Sequence, residues 1–77
     1  LFKIKIYPNP VSTELTIEVE GNNKIINYEI LNSIGQVVVE GNLLEKTTVP
    51  ISYLTSGFYF VKLEIGNTYK FKKIIKE

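Results

Sequence analysis

An all-β fold is what the sequence predicts: a small antiparallel β-sandwich of two sheets and about seven strands, immunoglobulin-like in general form. Three observations predict it. Apolar residues alternate with period two along most of the chain, and turn-forming residues return about every ten positions. Alanine, the best helix former, is absent.

Taken in order, the first strand is expected over Phe2–Tyr7, ended by Pro8-Asn9-Pro10, since prolines lack the N–H a ladder needs. The second, Glu14–Glu20, sets Leu15, Ile17 and Val19 against Thr16, Glu18 and Glu20, before a Gly21-Asn22-Asn23 turn. In the third, Ile25–Leu31, residues Ile26, Tyr28 and Ile30 share a face, and Asn32-Ser33-Ile34-Gly35 follows as a hairpin loop. Gly35 is free to take positive φ there. The fourth, Gln36–Glu40, contains Val37-Val38-Val39, a run that fits either a strand buried on both sides or an edge, and Gly41-Asn42 is expected to turn the chain. A short fifth strand, Thr47–Ile51, carries Pro50 and so belongs at an edge.

The sixth is the clearest. After Ser56-Gly57, residues Tyr59, Val61, Leu63 and Ile65 face one way and Phe58, Phe60, Lys62 and Glu64 the other. Gly66-Asn67 then reads as a two-residue hairpin into Tyr69–Lys76. There Tyr69 and Phe71 are read as core-facing, which makes the alternation slip at Lys73-Ile74-Ile75, and a bulge near Lys73 would restore Ile74 to the core face. Tyr28, Tyr59 and Phe71 are the expected large core anchors.

With 77 residues the chain forms one domain, and a domain of this size buries only roughly 60% of its unfolded surface. Hydrophobic residues at 44% and charged residues at 22% fit a folded globular domain rather than a disordered one. A net charge of +1 provides no global field for nucleic acid or an anionic membrane. No apolar run approaches the roughly 18 residues that span a bilayer. Because the chain opens with Leu1 rather than Met, it is expected to be a piece of a longer protein. The eleven Ile, nine Lys and seven Asn, with no Arg, are most simply the mark of an AT-rich coding sequence.

The inventory disfavours most catalysis. Without His or Cys there is no Ser-His triad, no thiolate nucleophile and no imidazole or thiolate metal site, and without Asp there is no EF-hand loop. No Gly-rich phosphate loop is present, so no cofactor is expected and the chain is read as a non-enzyme. Glu18 and Glu20 lie on one strand face roughly 6.5–7 Å apart, a spacing found in some paired glycosidase carboxylates. Nothing evident would desolvate either one, so they are read as a solvated face. Ser12, Ser33, Ser52 and Ser56 sit at turns and strand borders, where hydroxyls cap backbone groups.

Tyr69-Lys70-Phe71-Lys72-Lys73 interleaves bases and aromatics as single-strand nucleic-acid binders do, but the period-two reading accounts for it and no nucleic-acid partner is expected. Phe58 and Phe60, facing away from the core, are candidates for a sugar platform or a docking patch unless the preceding loop covers them. The competing function is therefore an accessory module that binds carbohydrate or mediates adhesion, using Phe58 and Phe60, or Tyr7 and Tyr53, on a flat face.

Four motifs resemble, in order and over essentially the whole chain, the C-terminal sorting domain (type A) of cargo exported by the type IX, or Por, secretion system of Gram-negative bacteria. The Tyr7-Pro8-Asn9-Pro10 turn followed by Leu15-Thr16-Ile17 is the first, and Gly35-Gln36-Val37-Val38 the second. The third is Leu54, Gly57, Tyr59 and Val61 in an L-x-x-G-x-Y-x-V arrangement; the fourth is a last strand bearing Lys72, Lys73 and Lys76 just before Glu77. One departure is Ile30-Leu31-Asn32, where the family often has an aromatic.

The resemblance implies that residues 1–77 are a sorting domain on a larger secreted protein. That protein would cross the inner membrane by the general pathway and fold in the periplasm. The outer-membrane translocon would recognise the domain, and a gingipain-like sortase would usually remove it. The cargo would end at the cell surface, anchored to lipopolysaccharide, or outside the cell. Pro8, Asn9 and Pro10 with the neighbouring Gly57, and Lys72, Lys73 and Lys76 on the last strand, are the expected recognition residues. The edge of that strand is a candidate for pairing with a translocon strand. Gly35, Leu54, Tyr59 and Val61 are expected to support the fold. Exposed edges at Val37–Val39 and at the last strand also allow an edge-to-edge homodimer.

Overall fold

The computed structural model describes residues 3–77, among which there are seven strands and no helix. β1 (Lys3–Tyr7), β2 (Glu14–Glu20) and β5 (Lys46–Pro50) form one sheet in the order β1-β2-β5. β3 (Ile26–Leu31), β4 (Val37–Leu43), β6 (Gly57–Ile65) and β7 (Thr68–Lys76) form the other in the order β4-β3-β6-β7. All these strand pairs are antiparallel. The chain changes sheet after β2, β4 and β5, as in immunoglobulin-like sandwiches. Phe2, the expected start of the first strand, lies outside the described residues.

Period-two alternation places the core. Leu15, Ile17 and Val19 from β2 bury against Ile26, Tyr28 and Ile30 from β3 and Tyr59, Val61 and Leu63 from β6. Each such aliphatic side chain contributes about 1.5–3 kcal/mol relative to exposure. β5 is an edge strand, with Pro50 its last residue opposite Glu14, where no ladder N–H is required. Val37–Val39 also lies at an edge, and the register shift between Ile30 and Leu31 leaves Val38 as the extra residue of a bulge. The loop before it is built by Asn32, whose Oδ1 accepts from the Ile34 and Gln36 amides at 3.1 and 2.9 Å. Gly35 closes it at φ +85°, a conformation side chains resist.

Two expectations are corrected. Gly41-Asn42 is not a turn: β4 runs through to Leu43, with Gly41 directly opposite Tyr28. The glycine is there for space, since a Cβ at position 41 would lie 2.7 Å from the Tyr28 hydroxyl and 2.9 Å from its Cζ. Gly41→Ala is therefore expected to cost about 1 kcal/mol, the low end for overpacking because the end of a ring can tilt. Its effect should be non-additive with Tyr28→Ala in a double-mutant cycle of melting temperatures.

The last strand is also in the opposite phase. β7 pairs with β6 without interruption from Gly57↔Lys76 to Ile65↔Thr68, so there is no bulge at Lys73. Residues across a ladder share a face, so Ile74, Lys72 and Lys70 lie beside core-facing Tyr59, Val61 and Leu63. Phe71 and Tyr69 face outward, 62% and 52% exposed, and Phe71 is not a core anchor. Ile74, fully buried, sets the phase, while Lys70 and Lys72 reach the open rim of the same face.

Candidate functional site

The site begins where β1 ends. Pro8 and Pro10, both preceded by cis peptide bonds, take the chain away from β2. Asn9 then meets the free edge of β7. Its side-chain amide donates to the Lys73 carbonyl at 3.1 Å and its Oδ1 accepts from the Ile75 amide at 2.9 Å. A carboxamide presents one donor and one acceptor side by side, so it pairs with a strand edge as another peptide group would. Val11 continues the contact, donating to the Ile75 carbonyl at 2.8 Å and accepting from the Glu77 amide at 2.9 Å, in a parallel bridge centred on Lys76. The segment after β1 thus ties the two sheets together by closing β7 from Lys73 to Glu77.

The third motif packs behind this corner. Tyr59 donates its hydroxyl to the Thr55 carbonyl at 2.7 Å, four residues upstream, as in the tyrosine corner of immunoglobulin-like sandwiches. Leu54 packs partly buried on the core, and Gly57, at φ +148°, makes the bend into β6 that a side chain would strain. The spacing of Leu54, Gly57 and Tyr59 is the requirement of one corner. Tyr59→Phe is expected to cost about 1 kcal/mol in urea unfolding, with no change of m-value.

Pro8, Asn9, Pro10, Gly57, Lys73 and Lys76 converge at this end of the sandwich, with Gly57 across the ladder from Lys76 and Asn9 bonded to Lys73. The lysines are not equivalent. Lys73 lies on the outer face with its ammonium 4.6 Å from the Phe58 ring centroid. Lys72 projects to the other face, where it lines a groove with Ile4, Ile6 and Tyr7 of β1. Lys76 is only 6% exposed, and its ammonium donates to the Glu77 carbonyl at 2.7 Å, so it belongs to the closed corner rather than the surface. Sequence reasoning missed Val11, which is fully buried; Ile74, expected on the core face by way of a bulge, is fully buried without one. An apolar residue immediately after the second proline, outside any alternating run, was the one available sign of Val11.

Phe58 and Phe60 face outward as expected, but their rings stand at 85° to each other, centroids 5.8 Å apart. That pair offers an edge and a face, not the flat platform on which a sugar ring stacks. Two of the three carboxylates of β2 are occupied on the surface: Glu18 accepts from the Tyr7 hydroxyl at 3.0 Å, and Glu20 pairs with Lys5 at 3.5 Å. Among the described residues no group of three or more acidic side chains is arranged to hold a metal.

Burial first, and then the charge of Tyr53, pushes the Tyr28 hydroxyl above the ordinary tyrosine value of 10.0. The unfolded chain loses this proton first as pH rises, so the associated stability is complete below about pH 10 and declines above it. Tyr28→Phe is expected to flatten the alkaline limb of melting temperature against pH. An unchanged slope would show that this hydroxyl does not set that limb.

The geometry defines a small immunoglobulin-like module whose N-terminal turn closes the edge of its C-terminal strand. The family model described as "Secretion system C-terminal sorting domain" matches residues 5–77, and the chain belongs to that family, the sorting signals of type IX secretion. No curated protein matches the chain. The family places its members' export toward the cell surface or the extracellular space, through interaction with the type IX machinery.

Proposed function

We propose that this domain acts as a folded address label, read by the outer-membrane translocon after the attached cargo has reached the periplasm, and then removed by a sortase. The observation that carries this reading is the closed corner. The motif residues at positions 8–10 and 73–76, more than sixty residues apart in the chain, meet through Asn9 and Val11 only when the sandwich has formed. A receptor that binds this corner tests whether the domain is folded, which a linear peptide signal does not do. Pro8, Asn9 and Pro10 with Gly57 and Lys73 form the contact surface, Lys72 flanks it on the β1 side, and Lys76 holds the corner from within.

The test is a transfer experiment. Residues 1–77 are fused to the C-terminus of a fluorescent protein carrying a general export signal, in a bacterium with a working type IX system and in a translocon-deficient control. Translocon-dependent fluorescence on the cell or in the medium is the expected result. Retention of a folded fusion in the periplasm of both strains would overturn the proposal and return attention to an accessory module that binds carbohydrate or mediates adhesion through Tyr7 and Tyr53.

A further inference from the structure

The closure of β7 is incomplete. The Ile75 amide and carbonyl both bond away from β6, to Asn9 and Val11, so the odd-numbered residues of β7 direct their backbone groups to the free edge. From the Lys73 carbonyl to the Glu77 amide these groups are occupied. The Tyr69 and Phe71 amides and carbonyls and the Lys73 amide have no partner among the described residues.

Beside this open stretch lies the groove of about 380 Å³ lined by Ile4, Lys5, Ile6, Tyr7 and Lys72. Its wall is β1 and its rim is β7. Lys70, Lys72 and Lys73 flank the open backbone, and among the described residues no carboxylate approaches any of them within ion-pair distance; the ion pairs are Lys5–Glu20 and Lys62–Glu29. β7 itself, Thr68–Lys76, contains no acidic residue.

We infer that the Tyr69–Lys73 edge is a docking site for an extended polypeptide strand carrying acidic side chains. The domain already shows this mode of binding on the same edge, where its own Asn9–Val11 segment is added alongside Ile75–Glu77. An incoming strand hydrogen-bonds to the backbone of Phe71 and its neighbours, covers the partly exposed Ile4, and sets carboxylates against Lys70 and Lys72. Main-chain bonds supply affinity in such an addition and side chains supply selectivity. Charge complementarity selects the occupant, because an uncharged strand would desolvate the ammonium groups without compensation. A second copy is disfavoured on this edge, since pairing two β7 strands brings lysines against lysines.

The inference rests on the sorting reading and adds to the corner a second translocon contact, on this edge. It is tested in the same export assay. Phe71→Pro deletes the outward N–H while leaving the β6 ladder intact, as edge strands tolerate. Lys70→Glu with Lys72→Glu reverses the charge on exposed side chains. Circular dichroism of the purified variants confirms folding, and the charge variant alone decides the question should Phe71→Pro not fold.

Each variant is expected to lower translocon-dependent surface fluorescence by about threefold to tenfold, the loss expected for one strand hydrogen bond or for two reversed charges. Export of both variants at the parent level would overturn the edge proposal and leave the sorting reading standing. Loss with Phe71→Pro but not with charge reversal would overturn the acidic partner. Failure of the parent fusion itself would sink the sorting reading, and this inference with it.

Discussion

Ile74→Ala is expected to destabilise the domain by about 2–5 kcal/mol, the range for emptying a fully buried aliphatic site. A 77-residue domain has about 4–12 kcal/mol of stability in total, so this one change removes a large share of it. Melting should fall by at least about 10 °C. Ile74 lies across the ladder from buried Tyr59 and between the two residues that Asn9 engages, so its loss loosens the last strand and the corner together. Phe71→Ala is the matched control. Although larger, that side chain faces solvent, and its loss should cost within about 0.5 kcal/mol. A reversed order of the two effects, measured by thermal unfolding, would show β7 to be in the opposite phase.

Asn9→Ala should cost about 2 kcal/mol, the sum of two hydrogen bonds from one side chain to a strand edge. Asn9→Asp discriminates the mechanism. It keeps an acceptor for the Ile75 amide but turns the group facing the Lys73 carbonyl from a donor into a negative oxygen. Rescue by Asp should therefore be incomplete at neutral pH. Amide exchange gives the local reading: Ile75 should lose protection in Asn9→Ala and keep part of it in Asn9→Asp, while amides bonded within the β6–β7 ladder change only with global stability. If Asn9→Ala melted with the parent and kept Ile75 protected, the corner would not depend on this side chain.

The fold was legible where one residue property decided the matter. Glu14–Glu20 and Gly57–Ile65 alternate without ambiguity because each belongs to a strand with one buried and one open face. Pro50 announced an edge because proline cannot donate. The errors share a cause. Gly41 was read as a turn because glycine is common in turns, yet its reason for being there is a tyrosine on the neighbouring strand. Phe71 was read as core because it is large and apolar, yet at an edge strand the phase is set by whichever residue the opposite sheet can cover, and that residue is Ile74. The motif residues of the site were visible as motifs, but Lys76 was read as a surface charge and proves to be buried.

By itself the sequence determined the all-β class, the positions of the central strands and the absence of His and Cys chemistry, since these follow from alternation, proline, glycine and inventory. It also carried the ordered motifs by which the chain belongs to its family. Only the tertiary structure decided that Asn9 and Val11 close one half of the last strand and leave the other half open. The physical reason is that alternation records which face of a strand is buried and nothing about its edges. Edge pairing is made by backbone groups, which are alike at every residue but proline, and what meets them is settled only when distant parts of the chain come together.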